Sequence, residues 1–390
     1  MSASSEATPN DDWTFWNRSF LATCALTLVV ATGAFAFTLL PLQIRALGLG
    51  DVLIGPVMGA FFLASLLAIP VTPRIIGLLG AKKTSGIGVF IVALSSGVIA
   101  FSSSAAGFLA ARLAQGAGWA LVLISTTALI SSVTPRERLA QGLGLYGTVF
   151  LVSQALGPWI TDAVASLTNS YEAAFVVAAI LAGSSIFFLG MVESRHNAVK
   201  SETHVREVGP RNILLLCTLL LSSGFGSVMS FVAAYAEDKK FETLGLFFGA
   251  YVVTSVAVRL LGGRLLDGRS RRQAAITGAL LQFGSLLCMP MIDSSTQFML
   301  VGLPFGVGTA IWGPAIQATV IARSTTKSAG IAAYNATFLL GVVIISFGGS
   351  LFAARMGLQN IYILAALSAC ATAPLLYAAW PRTVASEAVS

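Results

Sequence analysis

Twelve apolar stretches of 20 to 28 residues follow one another along this chain, at about 18–42, 52–72, 84–103, 106–133, 140–167, 171–192, 212–235, 244–266, 273–292, 297–322, 328–354 and 358–380. About 20 apolar residues in a helix cross the hydrocarbon core of a bilayer. A spanning segment must also satisfy its own backbone polar groups, because lipid offers no hydrogen-bonding partner. The predicted fold class is therefore an all-α membrane protein of twelve transmembrane helices. With 56% hydrophobic and 10% charged residues, against roughly 45–50% and 25% in soluble domains, a soluble chain is excluded. The longest polar interval falls after the sixth stretch. The expected organisation is an N-terminal tail 1–17, a six-helix bundle 18–192, a linker 193–211, a second six-helix bundle 212–380 and a C-terminal tail 381–390.

The basic residues orient these spans. With the N-terminus inside, seventeen Lys and Arg fall in cytoplasmic segments, four outside (Arg45, Lys239, Lys240, Arg355) and two within spans (Arg112, Arg259). That bias places both termini in the cytoplasm, and the short loops point to a bacterial-type cytoplasmic (inner) membrane. It also accounts for the net charge of +7 without a nucleic-acid partner. The first ten residues lack a basic n-region, so no removable signal peptide is expected. Trp13, Phe15, Trp16 and Phe20 form an expected interfacial anchor.

The chain repeats itself. The basic segment Arg259 to Arg272 recurs in weakened form 190 positions upstream, through Pro73, Arg74, Gly80, Lys82 and Lys83. At the same offset Phe108, Leu113, Gly116, Gly118 and Ala120 correspond to Phe298, Leu303, Gly306, Gly308 and Ala310. After a two-residue slip Tyr146, Phe150 and Leu151 meet Tyr334, Phe338 and Leu339. Parallel halves related by an axis along the membrane normal, with a midplane site between them, are a recurrent transporter plan.

On these residues the chain resembles the major facilitator superfamily from about 18 to 380. Gly263, Asp267, Arg271 and Arg272 match the family's loop motif between spans eight and nine; in the first half only Gly80, Lys82 and Lys83 remain, with Gly77 where an aspartate is expected. Arg112, Gly116 and Gly118 are similar to a span-four signature of proton-coupled members. Gly157-Pro158 resembles the core of an antiporter motif whose last glycines are replaced by Thr161 and Asp162. The resemblance implies two pseudo-symmetric six-helix bundles and a cytoplasmic gate involving Arg74, Arg259, Gly263, Asp267, Arg271 and Arg272. It inclines the reading toward exporters of drugs and metabolites.

Candidate site residues follow from polarity inside spans. A cation such as Arg112 at membrane depth costs roughly 2.5–3.5 kcal/mol unless it faces water or a partner. It is expected to anchor substrate or a proton-coupling network, or else to bond helix carbonyls. Arg259 lies close enough to the cytoplasmic edge to snorkel and is expected at the gate with Asp267 rather than at substrate. Ser223, Ser227 and Ser230 share one face of span seven. With Gln115, Gln154, Gln317, Asn335, Tyr146 and Tyr334, and with Trp119 and Trp312 as aromatic walls, they make up an expected cavity lining, each with helix-to-helix bonding as its alternative. No carboxylate sits at the middle of a span. Asp162, about 7 Å deep by the helical rise and within a few Å of the depth of Arg112, is the candidate proton-coupling group, with an ordinary interfacial carboxylate at a helix end as its alternative.

Enzymatic readings find no support. His196 and His204 lie in the linker without metal-ligand spacing, no GxxxxGK[ST] loop is present, and Cys24, Cys217, Cys288 and Cys370 imply neither a metal site nor a disulfide framework. No cofactor is implied. The reading is a monomeric secondary transporter in a lipid bilayer, exporting a small-molecule substrate in exchange for protons by alternating access. Anionic, zwitterionic or neutral solutes are preferred. An inward facilitator or proton symporter is the alternative within transport, and a transporter-like receptor or lipid-flipping protein the alternative outside it.

Overall fold

A computed structural model describes residues 17–135, 138–193, 210–241, 244–261 and 270–380. Among these, twelve helices are long and apolar enough to cross a membrane: Arg18–Ala46, Asp51–Ala68, Ala81–Phe101, Ala105–Val133, Gln141–Thr168, Tyr171–Leu189, Arg211–Asp238, Leu244–Leu261, Arg271–Met291, Ser295–Ala322, Ala329–Met356 and Gln359–Ala379. They are spans one to twelve. All twelve apolar stretches of the sequence are present as helices. The interfacial residues Trp13, Phe15 and Trp16, both linker histidines, and Gly263 and Asp267 lie outside the described residues.

Two boundaries differ from the sequence reading. Span one is a helix Arg18–Phe35, a 3-10 turn Ala36–Leu39 and a second helix Leu40–Ala46 that carries Pro41 in its first turn. Pro41 has no N–H to donate back into the preceding turn, so the chain tightens there. Span two stops at Ala68, and a separate short helix Thr72–Leu79 follows with Pro73 in its first turn. It ends at Gly80, whose φ of +81° favours glycine. The apolar run continues through Leu78 and Leu79, both exposed, and this hid the break.

Close helix approach repeats in the two halves. A methyl group at Gly116 in span four would overlap the carbonyl of Phe61 in span two, and one at Gly306 in span ten the carbonyl of Tyr251 in span eight. Likewise Gly88 packs on the backbone of Gly118 at 2.7 Å from its built Cβ position, and Gly278 on Gly308 at 2.8 Å. These pairs stand 190 residues apart, so the repeat is one of packing as well as of sequence. Small residues are what permit such backbone contact.

The two six-helix bundles meet along span two against eleven, span five against eight, and the ends of spans one and seven. A methyl at Gly55 would overlap Ser346 and Ser350, and the Gly55 N–H donates to Ser350 Oγ at 2.7 Å. Among the described residues, spans four and five make no extensive packing against spans ten and eleven. Near that end Gly144 and Leu145 of span five and Ile331 and Ala332 of span eleven are exposed. The bundles are joined at the Arg45 end and part toward the other.

Candidate functional site

Each half contributes a matching aromatic group. In the first, Trp119 stacks on Phe150 with centroids 5.8 Å apart, and Phe35 meets both edge-on at 5.9 and 5.4 Å. In the second, Trp312 stacks on Phe338 at 6.3 Å and Phe225 lies 5.5 Å from Phe338. Phe35 and Phe225 are 190 residues apart in the chain, and Phe150 and Phe338 are 188. The sequence reading named the two tryptophans but not the phenylalanines, whose signal was the same offset. Trp312 is fixed by its indole N–H, which donates to Gln282 Oε1 at 2.6 Å, while Gln282 Nε2 donates to the Leu221 carbonyl.

Tyr334 extends the second aromatic group, its ring 6.4 Å from Phe338. Its phenol and that of Tyr251 are the electrostatic neighbours of the Arg259 guanidinium. Arg259 crosses the interface to span five, where a methyl on Gly147 would sit 2.6 Å from Nη1. The snorkelling geometry expected from the sequence is not what the structure has, because Gly147 leaves room for the side chain to turn inward. Tyr251, Ser255 and Arg259 follow at i, i+4 and i+8 and share one face of span eight. Tyr251 Oη donates to Gln154 Oε1 across the interface at 2.9 Å. Arg259 is half-buried, and its Nε is enclosed with no hydrogen-bond partner.

Arg112 is in a different situation. It is 3% exposed, its Nη1 donates to Gln115 Oε1, its Nε points to the Val57 carbonyl at 3.5 Å, and its guanidinium lies 4.6 Å from the Phe61 ring centroid. Gln115 Nε2 passes the chain on to Ser96 at 2.8 Å. A crevice of about 20 Å³, the size of one water, joins Arg112 to Met58 and to Met229 of the second half. Asp162 does not meet Arg112. It lies at the start of span eight, accepting from the Gly245 N–H at 3.4 Å.

The other candidates divide. Tyr146 bonds Thr126 at 2.6 Å, Ser223 bonds Ser368 at 3.0 Å and Ser230 bonds Ser346 at 2.8 Å, while Ser227 donates back to Gly224 in its own helix. All four are buried links within one half. Gln317 and Asn335 are half-buried toward the parted end. Arg74 is exposed on the short helix after span two, and Arg272 stacks over Tyr377 of span twelve at 3.9 Å. Arg271 begins span nine beside it.

The joined end holds a cluster that the sequence reading had treated as loop charge. Arg45 grips Asp51 with Nε and Nη2, both at 2.8 Å. Its Nη1 crosses to the second half, reaching Asp238 at 2.8 Å, Glu237 at 2.9 Å and the Ala234 carbonyl at 3.0 Å. Partners and Arg45 are 189 to 193 positions apart, the repeat offset again, as expected where equivalent helix ends meet across a pseudo-two-fold axis.

The sequence model described as Major Facilitator Superfamily matches residues 21–240 and again 214–389. The chain belongs to the major facilitator superfamily. Within that superfamily it is similar to a multi-drug resistance efflux pump PmrA homolog of Lactococcus lactis, 23% identical, covering 80% of this chain and 82% of that one. It is also similar to the staphylopine export protein of Staphylococcus aureus, 26% identical over 62% and 64% of the two chains. The solved nucleoside transporter NupG superposes with a TM-score of 0.76 at 12% identity, covering 93% of this chain and 99% of that one; at that identity the likeness is one of fold. As a superfamily member the chain is a multi-pass membrane transporter of a small-molecule substrate, not an enzyme. Its Gly157, where the antiporter-like motif begins, packs against the 3-10 turn of span one, 2.6 Å from the Thr32 carbonyl to its built Cβ position. The Thr161 hydroxyl, 2.8 Å from the Gly157 carbonyl of its own helix, is shared with the Ala36 carbonyl at 3.2 Å. The departure from the motif thus supplies a donor for the broken turn.

Proposed function

We propose that this superfamily member is a proton-coupled exporter of a small organic solute, working as a monomer by alternating access in the cytoplasmic membrane with both termini inside. On that orientation the Arg45 end faces outward, and the conformation described is sealed outside and open to the cytoplasm. The observation that carries the reading is the asymmetry of the interface. Charged contacts join the bundles at one end, while at the other spans four and five stand apart from spans ten and eleven. The names of the two export relatives support the outward direction.

The joined end also offers a route for proton coupling. Asp162 carries a carboxylate from span five to the free N–H groups at the start of span eight, where a negative charge is favoured. Asp51, Glu237 and Asp238 do the same work around Arg45, and Tyr171 lies within electrostatic range of both Asp162 and Glu237. Proton uptake at Asp162 from outside removes the charge that the span-eight N–H groups hold and weakens the seal. Opening at the outer end lets a proton taken up there exchange for a solute brought from the cytoplasm, proton and solute loading alternating between the two forms.

Purified protein in proteoliposomes carrying a trapped pH indicator tests the reading. Among a panel of organic anions, zwitterions and neutral solutes, at least one should move protons in the opposite direction to itself. Solute movement with no proton movement, or with protons moving alongside, overturns the coupling; no movement of any solute overturns transport.

A further inference from the structure

Arg259 is the one charged side chain of the described spans that reaches across the interface within the membrane's depth and bonds to nothing there. Arg112 is enclosed in the first half and held by Gln115, Val57 and two phenylalanine rings. Arg45 is saturated by three carboxylates. Arg259 has Gly147 against its Nη1, an enclosed Nε without a partner, and as charged or polar neighbours the phenols of Tyr251 and Tyr334. Every described carboxylate lies at or near a span end. Asp162, on the same span as Gly147, is fifteen residues further along, about 22 Å at the helical rise.

Enclosing a guanidinium edge with no acceptor is costly. The residue is nevertheless only half-buried, and its Nη1 lies at the interface between the bundles, against Gly147 of span five. A planar fork in that position matches a carboxylate, which accepts two parallel N–H bonds. The neighbouring surface is apolar and flat: Tyr334 leads from Arg259 to Phe338 and Trp312, and the matching group of Trp119, Phe150 and Phe35 stands on the first half. Phe35, Phe150 and Phe338 belong to one continuous apolar cluster together with residues of both halves.

We infer that Arg259 is the anion-binding residue of the transport site, and that the substrate class is an organic carboxylate with a flat apolar body, its carboxylate on the Arg259 fork and its body between the two aromatic groups. Tyr251 and Tyr334 position the fork, and Tyr334 adds an O–H toward the carboxylate. A methyl at Gly147 would push Nη1 aside from its present position. This inference rests on the transport reading above and narrows its substrate to one charge class.

The test is binding to the full-length protein in neutral detergent, followed by thermal shift with 1-naphthoate, its neutral counterpart 1-naphthylmethanol, and acetate. A hydrogen-bonded charge pair is worth about tenfold or more in affinity, so 1-naphthoate should bind about tenfold tighter than 1-naphthylmethanol. It should also outbind acetate, which has the charge without the rings. Arg259→Gln should remove the preference for the anion, Arg259→Lys should keep part of it, and Gly147→Ala should weaken it with the charge still present. Equal binding of 1-naphthoate and 1-naphthylmethanol overturns the inference, as does an anion preference that survives Arg259→Gln or no binding of 1-naphthoate at all. Should Arg259→Gln not fold, the ratio in the unsubstituted protein and the Gly147→Ala response decide. The proteoliposome experiment does not depend on Arg259, so transport of neutral or cationic solutes alone would refute the carboxylate site and leave the transport reading standing.

Discussion

Replacing Arg45 with Gln should shift the protein toward the form that is open at the Arg45 end, by an amount the geometry bounds. The bond to Asp51 lies within the first half and survives opening. What opening breaks is Nη1 to Glu237, to Asp238 and to the Ala234 carbonyl. The two carboxylates are 45% and 50% exposed, so each pair is screened and contributes about 0.2–1 kcal/mol. Adding the carbonyl, the substitution should weaken the seal by roughly 1–2 kcal/mol, or about 5- to 30-fold in the equilibrium between closed and open. Met229 reports on it. It is buried at the interface nine residues before Asp238, about 13 Å below the latch. In a background without native cysteines, Met229→Cys should react with an impermeant maleimide from the Arg45 side about 5- to 30-fold faster once Arg45→Gln is added, by the same arithmetic. High salt should reproduce part of the increase, since the Debye length falls from about 10 Å at 0.1 M to about 3 Å at 1 M. A change below about twofold, with the protein folded, would show that Arg45 does not hold the bundles together.

Lowering the outer pH should also raise Met229→Cys labelling relative to a freely exposed cysteine, whose maleimide reaction slows as thiolate is lost, because protonation of Asp162 releases the seal; in Asp162→Asn labelling should start higher and respond less, and an unchanged pH response would remove Asp162 from the coupling scheme. Gly157→Val forces a side chain onto the backbone of Thr32 and Phe35, which has no flexible end to yield. It should destabilise by about 1–3 kcal/mol, read as a lower thermal midpoint in detergent, and an unchanged midpoint would contradict the packing. Gln282→Leu strands the Trp312 indole N–H, at about 1–3 kcal/mol for a buried group left unpaired. A lower thermal midpoint with altered Trp312 fluorescence is expected, and wild-type values of both would refute the link.

The spans were legible because each is a continuous apolar run, and the doubling because core glycines and aromatics keep their offset. Breaks inside apolar runs were not legible: nothing in hydropathy separates Ala68 from the helix at Thr72, or marks the 3-10 turn at Ala36 apart from Pro41. Side-chain direction was the larger gap. Arg259 stands near a span end, where snorkelling is the ordinary outcome, and only the space above Gly147, 112 positions earlier in the chain, turns it inward. Arg45 counted as one external charge, although its partners stand at the repeat offset. Equivalent helix ends must meet across the pseudo-axis, so the offset applied to charges as well as to glycines would have found that cluster. Asp162 and Arg112 were matched by depth alone, and depth does not say which faces of spans four and five look at one another.

The bundles are expected to rock about a midplane site, opening at one end as they close at the other. Two spin-label pairs on the full-length protein in liposomes measure this directly: positions 47 and 240 at the Arg45 end, and positions 74 and 331 at the other. At neutral pH the first pair should be short and the second long, and lowering the pH or adding Arg45→Gln should lengthen the first and shorten the second together. Distances at the two ends that change independently, or a 47–240 distance that never lengthens under either condition, would contradict it.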